Sequence, residues 1–93
     1  MRVTVSFLGP FRDQMGLQSM EVELPGGASY RDLLDRIADT MEAKLASWAW
    51  DPAERSFTRR VMVSRNLSLD LRDEATSLVD GDEVIVVPPL AGG

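Results

Sequence analysis

The residues of this 93-residue chain best placed to do chemistry stand at its end, Pro88-Pro89-Leu90-Ala91-Gly92-Gly93. A chain that stops at Gly93 ends in a free carboxylate on a residue with no side chain. Upstream, Val84-Ile85-Val86-Val87 reads as a short buried strand, apolar and β-branched. Pro88 and Pro89 end it, because proline cannot donate to a sheet ladder and holds φ fixed. The four residues Leu90 to Gly93 reach at most about 14 Å when extended. A tail so short and slim suits a narrow channel in another protein, where Gly92 and Gly93 would present the carboxylate. Glycine is also common in idle termini. The buried strand and the Pro-Pro spacer immediately before the pair favour a working tail.

Few other residues can do chemistry. The chain has no cysteine and no histidine, which removes thiolate metal sites, thiol redox chemistry and the commonest general base. Catalysis by this chain alone would have to use carboxylates, Lys44, arginines, hydroxyls or Tyr30, so we expect a carrier rather than a free-standing enzyme. Asp80, Asp82 and Glu83 do not have the spacing of an EF-hand loop and read as a solvated turn. Gly26-Gly27 lacks the lysine and spacing of a phosphate loop, so no cofactor and no metal site is expected on this chain. Arg59-Arg60 reads either as a solvated edge or as a contact for an acidic partner.

Fifteen acids against ten bases give a net charge of −5. Such a chain repels phosphate backbones and suits docking on a basic protein surface. Met1-Arg2 runs straight into a strand pattern rather than a leader, and no apolar run approaches the length of a membrane span. The expectation is a cytoplasmic protein that binds neither nucleic acid nor membrane.

The elements that must position the tail follow from periodicity. Val3, Val5 and Phe7 alternate with Thr4, Ser6 and Leu8, a first strand with one apolar face. Met20, Val22 and Leu24 alternate with Glu21 and Glu23, a second strand antiparallel to it. Phe11 to Gln18 reads as the loop between them, and Pro25-Gly26 as the central pair of a type II turn. Ser29 suits a helix N-cap with Asp32 at the third helical position. Leu33, Leu34, Ile37, Ala38, Met41 and Leu45 then form one apolar stripe of roughly four turns, with Asp32 and Arg36 spaced as an ion pair.

Residues 47–58, with Trp48, Trp50 and Phe57, fit no period. They read as a cap on one end of the core or as an aromatic patch for a partner. Residues 60–63 read as a third strand, with Val61 and Val63 pointing together. Leu67, Leu69 and Leu71 suggest a short edge strand, and Asp80-Gly81-Asp82 a tight turn into the last strand. A hairpin, one helix across it and strands returning beside the first make an α+β β-grasp fold. It would have a mixed sheet of four to five strands and one main helix, with the last strand central. The body would be residues 1–87 and the tail 88–93.

The terminal Pro-Pro-Leu-Ala-Gly-Gly, preceded by Val79-Asp80-Gly81-Asp82-Glu83-Val84, resembles the end of ubiquitin-like sulfur carriers of the MoaD/ThiS type. The likeness is greatest to the small subunit of molybdopterin synthase. Phe7-Leu8-Gly9-Pro10-Phe11-Arg12, and Glu21-Val22-Glu23-Leu24-Pro25 leading to Leu33-Leu34, extend the likeness over nearly the whole chain. The resemblance implies that an E1-like enzyme uses ATP to adenylate the carboxylate of Gly93, and that sulfur then replaces AMP to give a thiocarboxylate. An acceptor such as the large subunit of molybdopterin synthase would take that sulfur for molybdenum or tungsten cofactor synthesis.

Residues 47–58 make the chain longer than a minimal member, as in carriers serving cysteine synthesis, and residues 63–66 lack a Val-Asn-Gly turn. Thiazole and tRNA thiolation are further destinations the same tail permits. So are a ubiquitin-like modifier joined to lysines through Gly93 and a β-grasp interaction module with an incidental Gly-Gly end. The docking surface is expected to be apolar and near the tail: Phe7, Leu8 and Phe11, with Pro88, Pro89, Leu90 and Ala91 of the tail and some of Trp48 and Trp50.

Overall fold

Val3, Val5 and Phe7, the alternating apolar set of the first strand, lie fully buried on one face of β1 (Arg2–Phe7). The computed structural model describes residues 1–9, 13, 16, 18–66 and 69–87. β2 (Ser19–Glu23) runs antiparallel to β1, with Val22 opposite Val3 and Met20 opposite Val5. Most of the loop between them lies outside the described residues. The chain then turns at 25–28 in a register one residue later than the sequence suggests. The Ala28 N–H donates to the Pro25 carbonyl at 3.1 Å. The residue with positive φ is Gly27, at +84°, so Gly26-Gly27 is the central pair of the type II turn.

α1 (Tyr30–Met41) begins at a complete capping box: Ser29 Oγ accepts from the Asp32 N–H, and the Ser29 N–H donates to Asp32 Oδ2 at 2.8 Å. Two orphan donors of the first turn are thereby satisfied. The Asp32 carboxylate is engaged there, and the i,i+4 ion pair on the helix is Arg31–Asp35 at 2.9 Å. Tyr30, Leu33, Leu34, Ile37 and Met41 form the buried stripe. The helix is shorter than expected. Thr40 Oγ1 donates back to the Arg36 carbonyl at 2.8 Å, a bond that competes with helical geometry. The backbone leaves the helix at Met41 (φ −144°) and passes into a 3-10 turn over Glu42–Lys44. Leu45 still packs against the core from beyond the helix.

Residues 47–58, aperiodic in sequence, hold a two-stranded ribbon of β3 (Trp50–Asp51) and β4 (Ser56–Phe57). Strands of two residues are too short to show alternation. Asp51 Oδ1 accepts from the N–H groups of Ala53 and Glu54, and Arg55 adopts the left-handed region at φ 52°. The Trp50 and Phe57 rings meet edge to face at 5.0 Å. Trp50 is buried and its indole N–H donates to Glu42 Oε1 at 2.8 Å. This aromatic cluster therefore caps the core, with Trp48 partly buried against it.

β5 (Met62–Arg65), β6 (Leu69–Asp70) and β7 (Glu83–Val87) complete the sheet. Its order is β2-β1-β7-β5-β6. β7 is parallel to β1 and antiparallel to β5. The fold is thus the expected β-grasp: a mixed five-stranded sheet with α1 across one face and the last strand central.

Candidate functional site

The last strand is held from its first residue to its last. Before it, residues 79–82 form a tight turn in which Gly81 has φ +87° and the Asp82 N–H donates to the Val79 carbonyl at 3.1 Å. The Asp82 carboxylate is only 3% exposed. It accepts from the Val79 N–H at 2.9 Å and from Asn66 Nδ2 at 3.1 Å. Asp82 is therefore not part of a solvated turn: burial requires its carboxylate to be paired, and the neighbouring donors pair it. Asn66, in the left-handed region at φ 52°, bonds Glu83 twice. Its N–H donates to the Glu83 carbonyl at 2.8 Å, and its Oδ1 accepts from the Glu83 N–H at 2.9 Å. On the other side, the Thr4 N–H donates to the Asp82 carbonyl at 3.0 Å.

The far end is held as well. The Leu8 N–H donates to the Val86 carbonyl at 3.2 Å, and Val87 stands opposite Met62. Pairing with β1 through Val86 and with β5 through Val87 makes the strand a rigid root.

Val84 and Val86 belong to the core beneath α1, so Ile85 and Val87 face the other way. Ser6 and Ser64 flank Ile85. One step on, Leu8 and Met62 flank Val87, 44% and 57% exposed. An apolar group of Leu8, Met62, Ile85 and Val87 thus surrounds the root on the face away from the helix. Toward the start of β7 this face turns polar: Ser6 Oγ donates to Glu83 Oε2 at 2.9 Å. Between β1 and the edge strand β2, Arg2 pairs with Glu23 at 2.7 Å and Glu21 at 3.5 Å. The bond to Glu23, then the charges of both glutamates, hold the Arg2 guanidinium above the ordinary arginine range.

The expected site residues separate on this structure. Phe7 is fully buried under α1, because it shares the inward phase of Val3 and Val5, so it offers no surface for contact; its neighbour Leu8 is exposed. Phe11 and the whole tail, Pro88, Pro89, Leu90, Ala91, Gly92 and Gly93, lie outside the described residues. Trp50 belongs to the core. Met62 was not expected. Its signal was the alternation itself, since Val61 and Val63 pointing inward send Met62 outward as an apolar residue on a wet face. Among the described residues no group of three carboxylates could hold a metal ion, and no helix is long and apolar enough to cross a membrane.

Comparison with known proteins agrees with this arrangement. The ThiS family model matches residues 5–93. A molybdopterin synthase sulfur carrier subunit from Chlamydomonas reinhardtii is 30% identical over 93 residues, covering 100% of both chains. Among solved structures, SAMP1 from Haloferax volcanii superposes with a TM-score of 0.80 at 20% identity, over 100% of both chains. The Amycolatopsis orientalis BexX/CysO complex contains a chain similar at a TM-score of 0.61 and 26% identity, over 98% of this chain and 99% of that one. A central strand that delivers the chain's end from an open apolar face, and a family match over nearly the full length, lead to one assignment: this chain belongs to the ThiS family of ubiquitin-like sulfur carriers.

Proposed function

We propose that this chain carries sulfur as a thiocarboxylate on Gly93 and donates it in molybdopterin synthesis, as the small subunit of the synthase. Residues 1–87 act as the body and residues 88–93 as the tail. A carboxylate oxygen of Gly93 attacks the α-phosphorus of ATP in an E1-like partner and expels pyrophosphate. A sulfur nucleophile at the sulfide level then attacks the acyl carbon and expels AMP, leaving the thiocarboxylate. Without the adenylate step the carboxylate has no leaving group. Gly92 and Gly93 have no Cβ to crowd the nucleotide and the sulfur donor. ATP and any metal belong to the partner; this chain contributes the tail and the face that docks it.

The observation that carries this reading is β7: central, paired with β1 through Val86 and with β5 through Val87, and ringed at its end by Leu8 and Met62. A partner can grip that face beside the point where the tail begins. The match to a molybdopterin synthase carrier subunit over its whole length supports the destination. The likeness to a chain of a CysO complex, together with the enlarged 47–58 segment, supports a second destination, cysteine synthesis.

Intact-mass measurement tests the carrier step. Incubation with a cognate activating enzyme, ATP and a sulfur donor should add about 16 Da at Gly93, oxygen replaced by sulfur. An unchanged mass under conditions that charge a known carrier would overturn it. The charged protein is then offered to a molybdopterin synthase large subunit and to a cysteine synthase; sulfur passing only to the second would reassign the destination. Adducts on lysines of other proteins would instead point to a modifier.

A further inference from the structure

A second surface lies on the other side of the sheet, between the β3–β4 ribbon and the β5–β6 edge. It is a cleft of about 570 Å³, within the range of about 300–1,000 Å³ typical of binding pockets. Ser56 to Arg59 form one wall, Leu71 and Arg72 the other, with Leu34 and Val61 in the floor.

Among the described residues, the wall at β4 is an open strand edge. Trp50 stands opposite Phe57 and Asp51 opposite Ser56. The Thr58 N–H donates to the Ala49 carbonyl at 2.8 Å. Bonded and non-bonded pairs alternate along an antiparallel ladder. With residues 49 and 58 bonded, Trp50 and Phe57 are a non-bonded pair, and the backbone N–H and C=O of Phe57 point away from β3, toward the cleft.

The charge around the cleft is opposite to that of the chain. The molecule carries −5 overall, yet Arg59 and Arg72 line the cleft and Arg60 follows Arg59. The carboxylate in its lining, Glu74, is already paired with Arg31 at 3.1 Å. Among the described residues, Arg59 and Arg60 have no ion-pair partner. Both are exposed.

We infer that this cleft binds an acidic, extended segment of a partner protein, added as a third strand on the Phe57 edge of β4 with its carboxylates on Arg59 and Arg60. Main-chain bonds to an open edge provide affinity without sequence readout, and charged pairs at the rim select the partner and its direction. The floor takes an apolar side chain from alternate positions of that segment. The cleft is on the α1 side of the sheet, away from Leu8 and Met62, so the inference is independent of the sulfur-carrier reading.

The probe is a fluorescein-labelled peptide of alternating Asp/Glu and Val/Ile residues, titrated against the full chain. A second peptide with lysine at each acidic position is the control. Saturable binding of the acidic peptide alone is expected, with chemical-shift changes centred on residues 56–60 and slowed exchange of the Phe57 amide. Arg59→Glu/Arg60→Glu should weaken binding at least about tenfold while leaving the thermal midpoint unchanged, both side chains being exposed. Failure to bind, changes centred elsewhere, or equal binding by the double variant or the lysine peptide would overturn the inference. Inorganic phosphate alone producing the same shifts would also overturn it, leaving a small-anion site. So would self-association in sedimentation that the double variant abolishes, which would assign the cleft to a second copy.

Discussion

Asn66 and Asp82 hold each other across the start of the last strand, with Asn66 Nδ2 donating to Asp82 Oδ1 at 3.1 Å. The same two residues bind the strand's flanking backbone, Asp82 at Val79 and Asn66 at Glu83. Each satisfies groups that have no ladder partner where β7 begins. Asp82→Ala removes the buried acceptor and leaves the Val79 N–H and the Asn66 amide without their partner, at residues that are themselves exposed. Losing two hydrogen bonds to a charged acceptor, with donors that water can still reach, should cost about 1–3 kcal/mol. Urea denaturation followed by circular dichroism measures it. A loss below about 0.5 kcal/mol, the scatter of ordinary surface substitutions, would show that the turn stands without this pair.

Arg31 ties the ribbon to the helix. Its guanidinium reaches Asp35 at 2.9 Å, Glu74 at 3.1 Å and the carbonyls of Glu54 and Arg55. Burial opposes its charge, but Glu74 and Asp35 outweigh it and hold the group above the ordinary arginine range. A pKa raised on folding stabilises below the unfolded value and is lost only as pH rises through the folded one. The contribution of Arg31 protonation should therefore stay constant from about pH 6 to 10, far below any arginine titration. Arg31→Met should cost about 1–2 kcal/mol, reduced by the partial exposure of its partners. Faster amide exchange in residues 50–57 than in β1 is the expected sign. Uniform acceleration across the sheet would mean that Arg31 supports the whole fold instead.

Trp50 decides what the 47–58 segment is for. The ring is buried, crosses Phe57 edge to face at 5.0 Å and donates to Glu42. Trp50→Ala should destabilise by about 3–5 kcal/mol, as for other buried aromatics. Trp50→Phe keeps most of the area but strands the Glu42 acceptor, and should cost less than half as much. Thermal unfolding of the two variants separates core packing from surface exposure. Near-wild-type stability of Trp50→Ala would return this residue to the partner-facing reading.

What the sequence reveals here depends on how long each pattern runs. Val3-Val5-Phe7 and Val84–Val87 are long enough to show their faces, and Ser29 with Asp32 spells a helix start. The sheet order follows, because two apolar strands at the chain's ends must share the middle. The β3–β4 ribbon was not legible, since two-residue strands have no period and are set by the Asp51 turn and the Trp50–Phe57 contact. The burial of Asp82 was hidden for a similar reason: a carboxylate in a Gly turn looks solvated until Asn66, sixteen positions away in sequence, arrives beside it. Phe7 was misplaced by its chemistry rather than its phase. An aromatic residue near the tail invites a docking role, but alternation had already put it inside, and the same alternation exposes Leu8 and Met62.

Those two residues carry the last prediction. Leu8 and Met62 stand on either side of Val87, and both are substantially exposed, so a charge at either one is solvated in the free protein. Leu8→Glu and Met62→Glu should change folding stability by no more than about 0.5 kcal/mol. In a complex that covers the root of the tail, the same carboxylate would be buried against an apolar surface without a partner. The cost should then appear as at least about a tenfold fall in kcat/KM for charging by the activating enzyme, with most of it in KM. Serine at the same positions removes apolar contact without adding charge and should have a smaller effect in the same direction. If both glutamate variants charge normally, the partner grips the tail alone, and the apolar ring around Val87 has no part in docking.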